Sequence, residues 1–310
     1  MKTFSTKDEG QKCLCKKTTF SEAEMKLIVS ELRKRDIRDK ITIKINGNNS
    51  WIDKAGKVIP STDRGKRPPN AVKLNQIDFT TYDDVDSRGV KIADRLFYLT
   101  GSGENISPSE SNYAVFTKWF NFALQELSLY TCVRKIHFLT HIYHEAQLFG
   151  STFEKNTTRI YHGGNFYKGR GFIQITHDYN YLEFYDDLKK TDFLKKYEKQ
   201  RLNENETFSD YLTRSKDKSF PDGFIDEFIL FVKSIAGSTE MAMKSAIWYW
   251  KKKKINQYAD ADDLGKTTAA INYPSELTKK TVNTDVLNGY EDRKKILLRC
   301  KDIFDYENCK

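Results

Sequence analysis

A short apolar stretch of the chain carries three histidines and a glutamate within nine residues: His137, His141, His144 and Glu145. At about 100° of rotation per residue, an α-helix would place the three imidazoles on one face, within about 60° of one another. Such a set can bind zinc, which accepts three protein ligands and keeps one position for water. Alternatively, the histidines pack or donate hydrogen bonds beside a cleft in which Glu145 does the chemistry.

The spacing favours the second interpretation. The common zinc motif HExxH needs a second histidine three residues after the glutamate, whereas Glu145 is followed by Ala-Gln-Leu. Three ligands on one straight helix also span too many turns to converge on one ion without distortion. The sequence shows no cluster of cysteines and histidines elsewhere that would complete a ligand shell. We therefore predict no metal and no other cofactor.

A second glutamate, Glu154, follows Glu145 by nine residues, and Gly150 and Ser151 between them can end the helix. A glutamate at a helix end and another just past the turn can face each other across a groove. Inverting glycoside hydrolysis needs such a pair, a protonated acid for the leaving oxygen and an ionised base for water. We expect apolar neighbours such as Phe149 to desolvate Glu145 and keep it protonated.

Polar side chains concentrate in residues 167–181, which read YKGRGFIQITHDYNY. The alternation over 172–176 predicts a short strand that points Gln174 and Thr176 to the same face. Both are neutral hydrogen-bonding groups, suited to sugar hydroxyls, N-acetyl groups or an attacking water. Two further polar side chains follow at once, Tyr179 and Asn180.

These residues must be held by a mainly helical fold. Apolar residues recur at helical spacing over 21–36, 112–149, 239–254 and 288–304. Alternating isoleucines before an Asn-Gly turn predict a hairpin around 41–53, and 76–81 is a candidate strand. We expect a polar tail over 1–19 and one catalytic domain over 20–310, with insertions at about 40–108 and 186–236.

Composition and charge limit the partners. The 310 residues carry a net charge of +9, which suits either a lysine-rich solubilising surface or an anionic polymer. The sequence has no recognisable nucleic-acid motif, and no segment approaches the roughly 18 apolar residues of a membrane span. Five cysteines are too few and too scattered to predict a disulfide framework, although a Cys300–Cys309 bridge is conceivable.

Several segments, in order, resemble glycoside hydrolase family 19, which comprises chitinases and the related phage and bacterial endolysins. The segments are SNYAVFTKWFNFALQELSLYTCVRK (111–135), RKIHFLTHIYHEA (134–146), YKGRGFIQITHDYNY (167–181), SAIWYWKKKKINQYADADDL (245–264), TTAAINYP (267–274) and NGYEDRKKIL (288–297). The resemblance implies a lysozyme-like, mainly α-helical α+β fold with a small β element and insertions.

The resemblance also implies roles for single residues. Glu145 matches the general acid, Glu154 the base that activates water, and Thr176 a residue that helps to hold that water. Six positions match residues that contact the sugar or support the cleft: His144, Gln174, Tyr179, Asn180, Asn272 and Arg293. The sequence departs from the family pattern at His137 and His141, and Tyr273-Pro274 replaces two glycines.

From the residues and the resemblance together, we expect an inverting hydrolase that cleaves β-1,4 bonds of peptidoglycan. The alternatives are a chitinase, a catalytically inactive glycan-binding relative, and a zinc hydrolase using the three histidines. The first residues have no apolar core typical of a signal peptide. We therefore expect synthesis in the cytoplasm and action in the periplasm or cell wall after lysis or specialised secretion, with an immunity protein as a candidate partner.

Overall fold

The computed structural model describes residues 13–34, 43–45, 48–52, 58–60, 96–97, 104–154, 159–215 and 220–309. These residues are mostly helical, which confirms the mainly α part of the predicted fold class. The helices, in chain order, are α1 Glu22–Lys34, α2 Tyr113–Glu126, α3 Cys132–Glu145, α4 Asp178–Lys189, α5 Phe193–Gln200, α6 Phe208–Ser215, α7 Phe224–Gly237, α8 Thr239–Lys252, α9 Asn256–Asp260, α10 Leu264–Asn272 and α11 Tyr290–Ile303. None of these helices combines the length and the apolar character needed to cross a bilayer.

Three short strands form an antiparallel sheet in the order β1 Ile43–Ile45, β2 Asn48–Ile52 and β3 Val58–Pro60. β1 pairs antiparallel with β2, with Ile45 opposite Asn48, so the strand pairing of the predicted hairpin is present. The candidate strand at 76–81 lies outside the described residues. The small β element that the resemblance implies beside the candidate catalytic residues is not shown among the described residues.

α3 is the central helix and carries the three histidines. The side chain of Thr131 caps its first turn by accepting a hydrogen bond from the backbone N–H of Arg134. Apolar side chains cover most of its circumference and are almost fully buried: Ile136, Phe138, Leu139, Ile142 and Tyr143. α11, α9 and α10 pack against it. Because α3 is held on several sides, its last residue, Glu145, has a fixed position.

The turn after α3 redirects the chain by a run of left-handed residues. Gln147, Leu148 and Phe149 have φ angles of 51°, 62° and 55°, a backbone conformation that residues with a Cβ rarely adopt. The Phe149 ring fixes the turn, because it packs 4.7 Å from Phe116 and 5.2 Å from Tyr143 between ring centroids. The chain then runs through Thr152 and Phe153 to the second glutamate.

The strand predicted over 172–176 is wrong. Residues 171–174 form a turn, and only isolated bridges pair Arg170 with Phe153 and with Ile175. Gln174 has a φ of 52°, and its side-chain amide donates to the Gly171 carbonyl at 2.8 Å, which closes the turn. The apparent alternation has another cause, since Phe172, Ile173 and Ile175 are all buried in the core.

The described residues of 186–236, the segment expected to be an insertion, are mostly helical and pack on the domain. α5, α6 and most of α7 lie within it, and α7 packs against α8. Aromatic rings supply its interior, with Phe193, Phe220, Phe224, Phe228 and Phe208 in contact with one another or with their neighbours. The described residues therefore give no sign of a separate unit in this segment.

Two disulfides, which the cysteine spacing did not predict, join the N-terminal stretch to the C-terminal segment and to α3. Cys13 is bonded to Cys309, and Cys15 to Cys132. Cys300 is buried and free, so the Cys300–Cys309 bridge is wrong. The partners lie 296 and 117 residues apart, a separation at which sequence spacing gives no guide to pairing. The stretch expected to be a polar tail is thus attached to the domain from Cys13 onward.

Candidate active site

A cleft of about 830 Å³ collects most of the residues singled out in the sequence. Both glutamates line it, Glu145 from the end of α3 and Glu154 from the loop that follows. The other lining residues are Gln147, Arg159, Ile160, Tyr161, Ile173, Gln174, Thr176, His177, Ile271, Asn272 and Asn288. Five predicted residues are thereby brought together: Glu145, Glu154, Gln174, Thr176 and Asn272.

Glu145 is held by a buried arginine. Nη2 of Arg293, on α11, donates to Oε1 of Glu145 at 2.5 Å, and the side chains of Arg293 and Glu145 are 1% and 16% exposed. The expected apolar surroundings are therefore incomplete, since a full positive charge lies against the carboxylate. The pair is a charge-assisted hydrogen bond on the rim of the core, open to the cleft on one side.

The arginine is positioned in turn by His141. Nδ1 of His141 lies 3.1 Å from Nη1 of Arg293. Burial, reinforced by the positive charge of Arg293, lowers the pKa of His141 well below its ordinary value. The imidazole is therefore neutral at pH 7, and its Nδ1 accepts the hydrogen bond from the guanidinium. His141, Arg293 and Glu145 form a chain of contacts that leads from the core of α3 to the cleft.

The histidines of α3 do not form a metal site. His137 Nε2 lies 2.9 Å from Oδ1 of Asp262, whose other oxygen is paired with Lys301. His141 faces Arg293, and His144 lies against Gly289, where an added Cβ would come within 2.5 Å of Nε2. Across the described part of the chain, these imidazoles do not belong to a group of three or more potential ligand atoms. Each therefore hydrogen-bonds or packs separately.

Glu154 is fixed by two donors on one oxygen. The hydroxyl of Tyr161 donates to Oε2 at 2.6 Å, and the backbone N–H of Gly169 donates to the same atom at 2.9 Å. The Glu154 N–H donates back to the Gly169 carbonyl at 2.8 Å. This pairing holds both the backbone and the carboxylate of Glu154 against the loop at 169. Two donors on one carboxylate oxygen fix the direction in which the carboxylate points.

Gln174 and Thr176 reach the cleft through the turn rather than through a strand. The Gln174 amide donates to the carbonyls of Gly171 and Thr152, at 2.8 and 3.2 Å. Its oxygen, Oε1, therefore lies on the side of Gly169 and Glu154. The Thr176 carbonyl accepts a hydrogen bond from Asn180 Nδ2 at 2.9 Å, and Thr176 lines the cleft.

Four predicted residues do not line the cleft. Arg293 acts behind Glu145, and His144 packs against Gly289. Asn180 supports the Thr176 backbone and accepts from Lys252, so its amide is already engaged. The ring of Tyr179 stacks on that of His177, with centroids 5.2 Å apart and planes 6° from parallel. These positions therefore support cleft residues instead of contacting its interior.

The sequence did not single out Tyr161, Gly169 or His177, although the first two hold Glu154 and the third lines the cleft. His177 has a φ of 70° and accepts a hydrogen bond on Nδ1 from the backbone N–H of His162 at 3.0 Å. Burial lowers the pKa of His177. The residues around Tyr161 give no local signal that separates it from an aromatic residue of the core.

The comparisons with known proteins add little. No protein-family model matches the sequence, and no curated protein matches it. Among solved structures, the chain is similar to the family GH19, class IV chitinase from Zea mays, with a TM-score of 0.34 and 17% identity. That match covers 66% of this chain and 87% of the chitinase chain. A similarity this low identifies neither a family nor an activity, so the function is argued from the geometry of the cleft.

Proposed function

We propose that this protein is an inverting glycoside hydrolase that cleaves β-1,4 bonds next to N-acetylated sugars. The observation that carries the proposal is the placement of Glu145 and Glu154 on one cleft with different hydrogen-bond partners. Glu145 faces a guanidinium, and Glu154 faces a tyrosine hydroxyl and a backbone amide. Two carboxyl groups in different surroundings are what an acid and a base acting in the same step require.

In the proposed reaction, Glu145 gives its proton to the glycosidic oxygen as the bond to the anomeric carbon breaks. A water on the opposite face of the ring attacks that carbon and loses a proton to Glu154. The Thr176 hydroxyl helps to hold this water. Arg293 stabilises the negative charge that develops on Glu145 as the proton leaves, so the ion pair strengthens along the reaction.

Peptidoglycan is the proposed substrate and chitin the alternative. The chain carries a net charge of +9, which suits an anionic wall polymer. Arg159 lines the cleft beside the two glutamates and supplies a cation for the carboxylates of peptide stems. Access to the wall after lysis or through specialised secretion, and protection of the producer by an immunity protein, belong to the same proposal.

Digestion of purified peptidoglycan sacculi, with mass analysis of the released fragments, tests the proposal. Wild-type protein should release glycan fragments with a new reducing end, and Glu145→Gln and Glu154→Gln should each reduce release by about 10²–10⁴-fold. Glu126→Gln is the matched control, because Glu126 is an exposed α2 residue paired with Lys251. Parallel digestion of chitin oligomers separates the two substrates.

Several outcomes would overturn the proposal. Release of peptides without new reducing ends would indicate an amidase. Sacculus binding without any release would indicate a glycan-binding protein. Equal activity of wild type and both cleft variants would show that the glutamates are not the acid and the base.

A further inference from the structure

Four of the five cysteines gather at one place, although three separate segments supply them. The Sγ atoms of Cys13, Cys15 and Cys309 all lie within 4.8 Å of one another. Cys132 is bonded to Cys15, so its sulfur lies beside this group. The segments are the N-terminal stretch around the 3-10 helix Leu14–Lys16, the start of α3, and the end of the chain after the 3-10 helix Tyr306–Asn308.

The arrangement has the composition and size of a structural zinc site. Zinc takes four thiolates at about 2.3 Å in a tetrahedron, which places neighbouring sulfurs about 3.8 Å apart. In the disulfide form the bonded sulfurs of each pair lie closer than this, so the two sulfurs of each pair must separate on binding. Cys15 is 5% exposed and packs with Leu14, whereas Cys13, Cys132 and Cys309 are partly exposed, so the cluster lies at the edge of the core.

A buried cation beside the cluster points to an anionic occupant. Lys135, one turn into α3, is 1% exposed, and its ammonium donates to the Cys15 carbonyl at 2.7 Å. Within the described ranges, no carboxylate forms an ion pair with this ammonium. Four thiolates around Zn²⁺ carry a net charge of −2, which would supply the missing counter-charge.

The helix that carries Cys132 also favours a thiolate. Cys132 is the first residue of α3, a helix of 14 residues, and the partial positive charge of a helix N-terminus stabilises a thiolate there. The buried lysine and the helix terminus are independent of the sulfur spacing. All three features favour negative charge on the same group of sulfur atoms.

We propose that, when both disulfides are reduced, the thiolates of Cys13, Cys15, Cys132 and Cys309 bind one Zn²⁺. A dithiol reductant supplies two electrons and two protons to each disulfide and is itself oxidised to a disulfide. The four thiols then release four protons to solvent as the metal binds. Zinc in a reducing compartment and disulfides in an oxidising one thus fasten the same three segments.

The test uses the full chain with Co²⁺ as a spectroscopic substitute for Zn²⁺. After reduction with dithiothreitol and removal of the reductant under nitrogen, Co²⁺ should bind at one ion per chain. The spectrum should show sulfur-to-cobalt charge transfer and the visible bands of tetrahedral cobalt, and Zn²⁺ should abolish both. The oxidised protein should bind none. Cys300→Ser, which removes the cysteine outside the cluster, should behave as wild type, whereas Cys132→Ser and Cys309→Ser should lose the bands.

Absence of these bands in a reduced chain that keeps its helical circular dichroism would overturn the proposal. Retention of wild-type binding by both cluster variants would do the same. If reduction alone unfolds the chain, Zn²⁺ must restore the helical signal, and failure to restore it counts against the site. None of these readouts depends on glycoside hydrolysis.

Discussion

Replacement of Gly169 by alanine should move both of the side chains that meet beside the candidate base. A Cβ at this position would lie 2.6 Å from Oε1 of Gln174 and 3.2 Å from Oε2 of Glu154. The first distance is far inside normal contact, so Gln174 must shift. Its amide is tied to two backbone carbonyls, so the shift costs hydrogen bonds of about 1 kcal/mol each.

The expected effect on stability is moderate, and the effect on activity is large. Overpacking of this kind costs about 1–3 kcal/mol, which would lower Tm by roughly 2–5 °C in a chain of this size. A displacement of Glu154 by about 1 Å should reduce kcat by about 100-fold, with a smaller effect on KM. Thermal melts and initial rates of reducing-end release from sacculi measure the two effects separately.

Gly237 offers a matched control for the same substitution. It ends α7, and a Cβ there would meet only the Asn105 carbonyl oxygen, at 4.0 Å. Gly237→Ala should therefore keep wild-type kcat and Tm within error. If Gly169→Ala also kept both, the packing of Glu154 against Gln174 and Gly169 would not be what holds the base, and the reasoning would be refuted.

Three further predictions concern the partners of the two glutamates. Tyr161→Phe removes a 2.6 Å charge-assisted bond to Glu154, and kcat should fall about 10–100-fold with an unchanged melting curve. Arg293→Gln leaves the Glu145 carboxyl group and the buried Nδ1 of His141 without their donor; urea titration should show about 1–3 kcal/mol of destabilisation, and a wild-type midpoint would contradict this. The lowered pKa of His141 means that the unfolded chain takes up a proton near pH 6.5 while the folded chain does not. The free energy of unfolding should therefore fall as pH drops below about 6.5, by at most about 1.4 kcal/mol per pH unit for this group. In urea titrations at several pH values, His141→Gln should flatten the dependence of this free energy on pH.

The helices could be predicted because each is encoded locally. Ser21 and Glu24 form a capping box, with the Glu24 carboxylate accepting from the Ser21 N–H at 2.8 Å, and α1 begins at Glu22. Apolar spacing likewise located α8 and α11 to within a few residues. Such signals lie within a few positions of the residues they order, so one sequence is enough to detect them.

The turn at 171–174 could not be predicted, because its cause lies in another element. Gly171 has a φ of 81°, and a Cβ there would come within 2.3 Å of the Ser245 hydroxyl on α8. This close approach of the loop to α8 bends the chain at Gly171, and the amide of Gln174 then closes the turn. The alternation of Phe172 to Thr176 resembles a strand, but tertiary contacts decide the conformation.

The histidines of α3 combine a helix face that is encoded locally with partners that are distant in the sequence. Their shared helix face was correctly read from spacing, yet what each histidine does depends on Asp262, Arg293 and Gly289, which follow 125, 152 and 145 residues after the histidine concerned. A metal site would have required the three imidazoles to point at one common ion. The structure instead gives His141 a guanidinium partner, and a neutral imidazole can accept from that cation, whereas a protonated or metal-bound one could not. The neutral His141 ring therefore holds Arg293 in place, and Arg293 in turn contacts the Glu145 carboxyl group, the proton donor of the proposed reaction.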